Sequence, residues 1–251
     1  MSADVDLNAD LGEGAGYDLE LLDLVTSANI SCGFHAGDPA SILQSIRDAA
    51  ERNVAVGAHP SFLDRENFGR SEIDLPPAEV FAQVSYQLGA FSTLATAATV
   101  RMSHVKAHGA LYNMAARDEQ LADAIVQAML IVDPYLILFA PPNSALERAA
   151  EAAELRVVRE VFADRNYLAD GSLVPRTRPD ALLTDAEAAA KRVARMLREG
   201  KVISVEGHEV DVRAETICVH GDTPGAVEFV RNLRAEMELL GINIRAPQSS
   251  L

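Results

Sequence analysis

Six short segments carry most of the side chains able to do chemistry. They hold Asn8, Asp10 and Glu13 (NADLGEG), then Asn29, His35 and Asp38 (ANISCGFHAGD), then His59 (GAHPSF). Further along come Lys106, His108 and Asn113 (VKAHGALYN), Glu160, Asp164 and Arg165 (EVFADR), and His220 and Asp222 (VHGDTP). Five of the six histidines fall in these segments or in the strands that lead to them. Imidazole nitrogens and a carboxylate around an open position make a Lewis-acid site, where a divalent ion lowers the pKa of water from about 15.7 towards about 7. Asp10, His59 and His108 are the natural trio for such a metal. The remaining carboxylates suit general acid or base work, and Lys106 or Arg165 suits a substrate carboxylate or a developing oxyanion. No serine sits in a G-x-S-x-G elbow, and GEGAG lacks the G-x-x-x-x-G-K-[ST] spacing of a phosphate loop. Together these residues point to metal- or carboxylate-assisted hydrolysis of a small polar molecule.

Positioning these groups requires strands that end where they stand. Strands are predicted at 5–10, 27–31, 54–58, 103–107, 135–140, 156–162 and 216–220. Helices are predicted near 17–26, 39–52, 76–96, 117–131, 143–154, 185–199 and 224–240, and an inserted hairpin near 202–213. Such alternation implies right-handed βαβ units and a parallel sheet, here an irregular seven-stranded (β/α) barrel, α/β in class, with a doubly wound open sheet as the runner-up. No composition break divides the chain, so residues 1–251 are expected to form one domain. Side chains alternate along a strand, so Asp6, Asn8 and Asp10 share one face, and His104, Lys106 and His108 another. A barrel normally fills its interior with Val, Ile and Leu; a polar interior is costly unless its groups are paired or bind something. Each polar segment lies at the C-terminal end of a strand, the end where such folds bind ligands. Asp38 before Pro39 also reads as a helix cap, whereas capping does not explain His35.

A formal charge of −15 disfavours nucleic acid and anionic membranes as partners. No apolar stretch approaches about 20 residues, and MSADVDLNAD lacks the features of a signal peptide, so a cytoplasmic protein is expected. Cys32 and Cys218 form no metal or redox spacing and are expected to be reduced and buried.

The motifs DLNADLGEG, SANISCGFHAGDP, VGAHPSF, VKAHGALYN, EVFADRNYLADGSLVPR and ICVHGDTP, in this order from about residue 4 to the end, resemble the LamB/YcsF family, the A component of bacterial 5-oxoprolinase. The resemblance implies ATP-dependent opening of 5-oxo-L-proline (pyroglutamate) to L-glutamate with separate B and C subunits, ATP and Mg2+ serving the complex. It also implies the barrel of the glycoside hydrolase/deacetylase group. In that group's carbohydrate deacetylases the first segment commonly carries paired acids; here Leu11 replaces the second, so either Asp10 serves as ligand or no stable metal binds. Ala107 stands where the family is expected to have proline. On this reading the catalytic groups are Asp10, His35, Lys106, Asp164 and Asp222. Asn8, Glu13, Asn29, Asn113, Arg165 and His220 bind substrate, and Asp10, His59 and His108 hold a divalent metal. Two alternatives stay open: a stand-alone metal-dependent deacetylase or amidohydrolase, and a non-catalytic substrate-binding subunit.

Overall fold

In VDLNADL every second residue is apolar, and in the computed structural model Val5, Leu7, Ala9 and Leu11 are all buried against the surrounding helices. The structure describes residues 4–175, 177–220 and 225–248. The elements run β1 (Asp4–Leu11), α1 (Asp18–Leu22), β2 (Ser27–Ser31), α2 (Pro39–Glu51), β3 (Ala55–His59), α3 (Pro77–Ala97) and β4 (His104–Val105). Next come α4 (Gly109–Ala115), α5 (Glu119–Val132), β5 (Ile137–Ala140), α6 (Ala145–Ala152) and β6 (Val157–Phe162). The chain ends with α7 (Ala186–Glu199), β7 (Lys201–Ile203), β8 (Glu209–Asp211), β9 (Thr216–Val219), α8 (Ala226–Leu239) and β10 (Asn243–Ile244).

Strands β1–β6 and β9 pair in parallel, and β9 pairs with both β6 and β1, which closes a seven-stranded barrel. β10 adds two residues beside the start of β1, and β7–β8 form the antiparallel hairpin expected near 202–213. The helices pack outside, α3 against α5 and α7 against α8. Asp38 serves as the cap its motif suggested: its carboxylate accepts from the Ala40 and Ser41 N–H groups, and Ser41 completes a capping box at the start of α2. Cys218 is buried and Cys32 only partly so; both are free thiols. No described helix is long and apolar enough to cross a membrane.

The barrel interior is polar over most of its height. Asp6 lies near the floor, where Thr26, Ser27 and Thr216 hydroxyls donate to its carboxylate. Above it Asn8 donates to Thr216 Oγ1 at 2.7 Å, and Asn29 donates to Asn8 Oδ1 at 2.7 Å and to Asp10 Oδ1 at 2.9 Å. Ile137, Phe139 and Val158 form a small separate apolar cluster on the β5–β6 side, and the His104 ring stacks on Phe139 at 4.3 Å. Each of these buried polar groups therefore has partners, and that pairing is what lets a polar interior exist.

Candidate active site

The C-terminal mouth of the barrel gathers two groups of side chains on either side of Asp10. The first is a nest of histidines. His59 ends β3, His108 precedes α4, and His35 sits in the turn between β2 and α2; all three are buried. His59 Nδ1 lies 2.7 Å from the Lys106 carbonyl, and His108 Nε2 lies 2.9 Å from the Phe68 carbonyl. A carbonyl only accepts, so both of these nitrogens carry hydrogen. Their other nitrogens, His59 Nε2 and His108 Nδ1, face each other at 2.9 Å. Without a metal one proton must lie between them. Burial alone would lower His59, but the Asp10 charge and hydrogen bond and the Glu13 charge outweigh it and raise its pKa. Burial lowers His108.

Glu13 closes the nest. Its Oε1 is 3.0 Å from His35 Nε2, 3.3 Å from His108 Nδ1 and 3.7 Å from His59 Nε2. Burial alone would raise this carboxyl, but hydrogen bonds from His108 and His35 hold it well below the ordinary glutamate range. Burial pushes His35 down to about 4. The segment after β3 crosses over the nest. Ser61 Oγ meets His35 Nδ1 at 2.9 Å, and Phe68 takes a left-handed backbone (φ 57°) as its carbonyl accepts from His108. Gly69 must lack a side chain, because a Cβ there would stand 2.9 Å from His108 Cδ2 and 3.0 Å from His35 Cβ.

This donor set fits a divalent cation. Ligand atoms around a tetrahedral ion with about 2.0–2.1 Å bonds lie roughly 3.4 Å apart. The His59, His108 and Glu13 atoms are spaced 2.9, 3.3 and 3.7 Å from one another. Backbone carbonyls fix the far nitrogens, the arrangement that orients metal-bound histidines. His35 is the exception: its ring is parallel to that of His108 (1°) with centroids 3.8 Å apart, so one ion cannot lie in both ring planes. His35 instead supports Glu13.

The second group surrounds Lys106. Its ammonium lies 2.9 Å from Asp10 Oδ1, 2.9 Å from Glu160 Oε1 and 3.1 Å from Cys218 Sγ. Burial would discharge it, but Asp10, Cys218 and Glu160 hold its pKa well above the usual lysine value. Tyr112 OH donates to Glu160 Oε2 at 2.7 Å. His220 Nδ1 meets Asp164 Oδ2 at 2.8 Å, and the His220 ring stacks over Phe162. Asp10 joins the two groups, its Oδ2 being 3.4 Å from His59 Nε2.

The predicted residues Asn8, Asp10, Glu13, Asn29, His35, His59, Lys106, His108, Asp164 and His220 thus meet in or just below the mouth. Arg165 is buried and donates to the Val174 carbonyl at 2.6 Å, tying down the connection after β6. Asn113 is exposed on α4, where its neighbour Tyr112 turns inward instead. Asp222 lies outside the described residues. Of the expected metal trio, His59 and His108 group with Glu13, whereas the Asp10 carboxylate groups with Cys218 and His220. Tyr112 and Ser61 were not expected.

Fold and site together define a closed (β/α) barrel with a cation-ready histidine–carboxylate centre at its C-terminal mouth. The chain belongs to the LamB/YcsF family, whose sequence pattern matches residues 5–251. It is similar to a solved lactam utilization protein from Thermus thermophilus at 48% identity and a TM-score of 0.91, covering 98% of this chain and 100% of that one. The catalytic domain of a peptidoglycan N-acetylglucosamine deacetylase from Eubacterium rectale shares the fold at 10% identity and TM-score 0.52, over 99% of this chain and 92% of that one. A GH113 β-1,4-mannanase does so at 11% identity and TM-score 0.50, over 95% and 99%.

Proposed function

We propose that this chain is the hydrolytic subunit of an ATP-dependent 5-oxoprolinase, opening 5-oxo-L-proline to L-glutamate together with B and C subunits. The observation that carries the reading is the His59–His108–Glu13 centre at the mouth of a barrel 48% identical to a lactam utilization protein. A divalent ion held by these three residues would supply Lewis-acid polarisation of a carbonyl and acidification of water. The chain's own side chains do the rest. Lys106 and Asn29 hold Asp10 Oδ1 and so fix the direction of Oδ2 towards His59. His35 Nε2 donates to Glu13 Oε1 across 3.0 Å and so holds that carboxylate in place. The mouth carries several carboxylates around one buried ammonium, so a bound cation also offsets negative charge before an anionic substrate arrives.

A five-membered lactam is a stabilised amide, and the sequence holds no Walker motif, so ATP is handled with the partner subunits. The test is twofold. Elemental analysis should find a near-stoichiometric divalent ion in the wild type, lost from the His59→Ala and His108→Ala variants. Chelation should abolish glutamate formation by the chain with its partners and ATP. Turnover of acetylated sugars without ATP or partners would favour a stand-alone deacetylase. Full lactam turnover by the His59→Ala, His108→Ala double variant would reduce this chain to a binding subunit.

A further inference from the structure

Across Asp10 from the histidine nest stands a second pair of groups that the metal centre leaves unused. His220 follows β9 directly, and Asp164 lies two residues past the end of β6, so adjacent paired strands deliver the pair to one side of the mouth. Their contact is short: His220 Nδ1 to Asp164 Oδ2 is 2.8 Å, and each side chain is 15% exposed. The ring rests nearly parallel on buried Phe162, at 12° and 5.8 Å. A ring nitrogen of His220 lies within 4.8 Å of an Asp10 oxygen and the Cys218 sulfur, which directs the imidazole inwards. The loop carrying Asp164 is itself held. Arg192 donates to the Ala163 carbonyl at 2.5 Å and to Asn166 Oδ1 at 2.7 Å, and Tyr167 OH accepts from the Phe162 N–H at 2.8 Å.

We propose that His220 is the proton carrier of the ring-opening step and that Asp164 is its positioning residue, in place of the substrate-binding and catalytic roles expected of them; the inference rests on the lactam-hydrolase reading. Asp164 takes the Nδ1 hydrogen and so leaves Nε2 as the exchanging atom. Water adds its oxygen to the lactam carbonyl carbon and gives one proton to His220 Nε2. The ring C–N bond then breaks with its electron pair left on nitrogen, and His220 returns that proton to the nitrogen. Carbon gains hydroxyl, nitrogen gains hydrogen, and the imidazole ends as it began. This is the division of labour in which a carboxylate holds an imidazole in one tautomer while the imidazole moves the proton. Placement fits the task, because the carrier stands across Asp10 from the histidine nest, and its Nδ1 is already engaged by Asp164.

The test compares two rings that differ in one atom: 5-oxo-L-proline and the corresponding γ-lactone, with ring oxygen in place of N–H. An amine nitrogen cannot leave without a proton, whereas a lactone oxygen depends on it far less. With the full chain, its partner subunits, ATP and the divalent ion present, His220→Asn should lower lactam opening by about 10²–10⁴-fold. Lactone opening, which still needs His220 for the water but not for its leaving oxygen, should fall at least about tenfold less than lactam opening, and metal content should stay that of the wild type. Asp164→Asn should show the same split between rings, and it carries the test where His220→Asn does not fold. Equal losses on both rings, or none, with metal retained, would overturn the role of His220 and leave the lactam reading standing. A wild type that opens neither ring would overturn the lactam reading and this inference with it.

Discussion

Lys106 stands between Asp10 and Glu160 with its ammonium 2.9 Å from each, all three shut away from solvent or nearly so. Replacing it by methionine keeps the buried stem but leaves two carboxylates facing each other without their cation. Breaking a buried pair in this way costs roughly 3–5 kcal/mol. Lys106→Met should therefore lose about that much stability in urea at pH 7, and recover part of it as the pH falls and one carboxylate takes a proton. A loss below about 1 kcal/mol would mean that Asp10 and Glu160 are compensated elsewhere, since exposed pairs contribute only that much. Much of this site was legible in the sequence because strand residues alternate: Asp10, His59, Lys106 and His108 all showed inward phase. Tyr112 was not. A helix begins at Gly109, directly after His108, so the period changes from two to 3.6, and the inward residue on α4 is Tyr112 rather than Asn113. Ser61 lies in an irregular segment, where no period speaks for it.

Among the strands, the row Asp10–Asn29–Gly57–His104 runs level across β1 to β4 by register. Gly57 is the gap in that row. The His104 ring lies over it, reaching Asn29 Oδ1 at 2.9 Å, and Asn29 in turn orients Asp10. A Cβ on Gly57 would stand 2.1 Å from His104 Nε2. Gly57→Ala should thus displace the ring, break its bond to Asn29 and cost about 1–3 kcal/mol as an overpacked core does. Combining it with His104→Ala should restore part of that loss, because the clash goes when the ring does. Thermal unfolding of the two single variants and the double variant measures this coupling; simple additivity would show that the ring and the glycine do not meet. At this scale the sequence predicted the seven barrel strands and the hairpin, since apolar runs alternated with amphipathic helices. It did not predict α4 or β10. The first is a seven-residue helix following a strand of only two residues, and the second pairs just two residues with β1, so neither offers a full period to read.

The barrel interior couples the whole molecule to pH through two buried groups whose effects oppose. Burial pushes the Asp6 carboxyl from 3.8 up to about 6, against hydrogen bonds from Thr216, Thr26 and Ser27. Burial, then the charges of Lys106 and His59, pushes His104 from 6.5 down to about 3. Between about pH 4 and 6 the folded chain keeps the Asp6 proton that the unfolded chain has lost, so stability falls as pH rises. Over the same window the unfolded chain holds a His104 proton that the folded chain refuses, so stability rises. Each slope is about 1.4 kcal/mol per pH unit, and the two nearly cancel until Asp6 has titrated. Asp6→Asn mimics the protonated acid and removes the falling term; His104→Asn removes the rising one. With metal chelated throughout, the stability of wild type relative to Asp6→Asn should drop by about 3 kcal/mol from pH 4 to 6.5. Relative to His104→Asn it should climb by a similar amount. Cavities and lost contacts shift each variant by a constant that drops out of these slopes, so guanidinium unfolding at four pH values suffices. Flat differences in both comparisons would mean that Asp6 is ionised and His104 charged inside the barrel at pH 5, and that their partners, not burial, set their state.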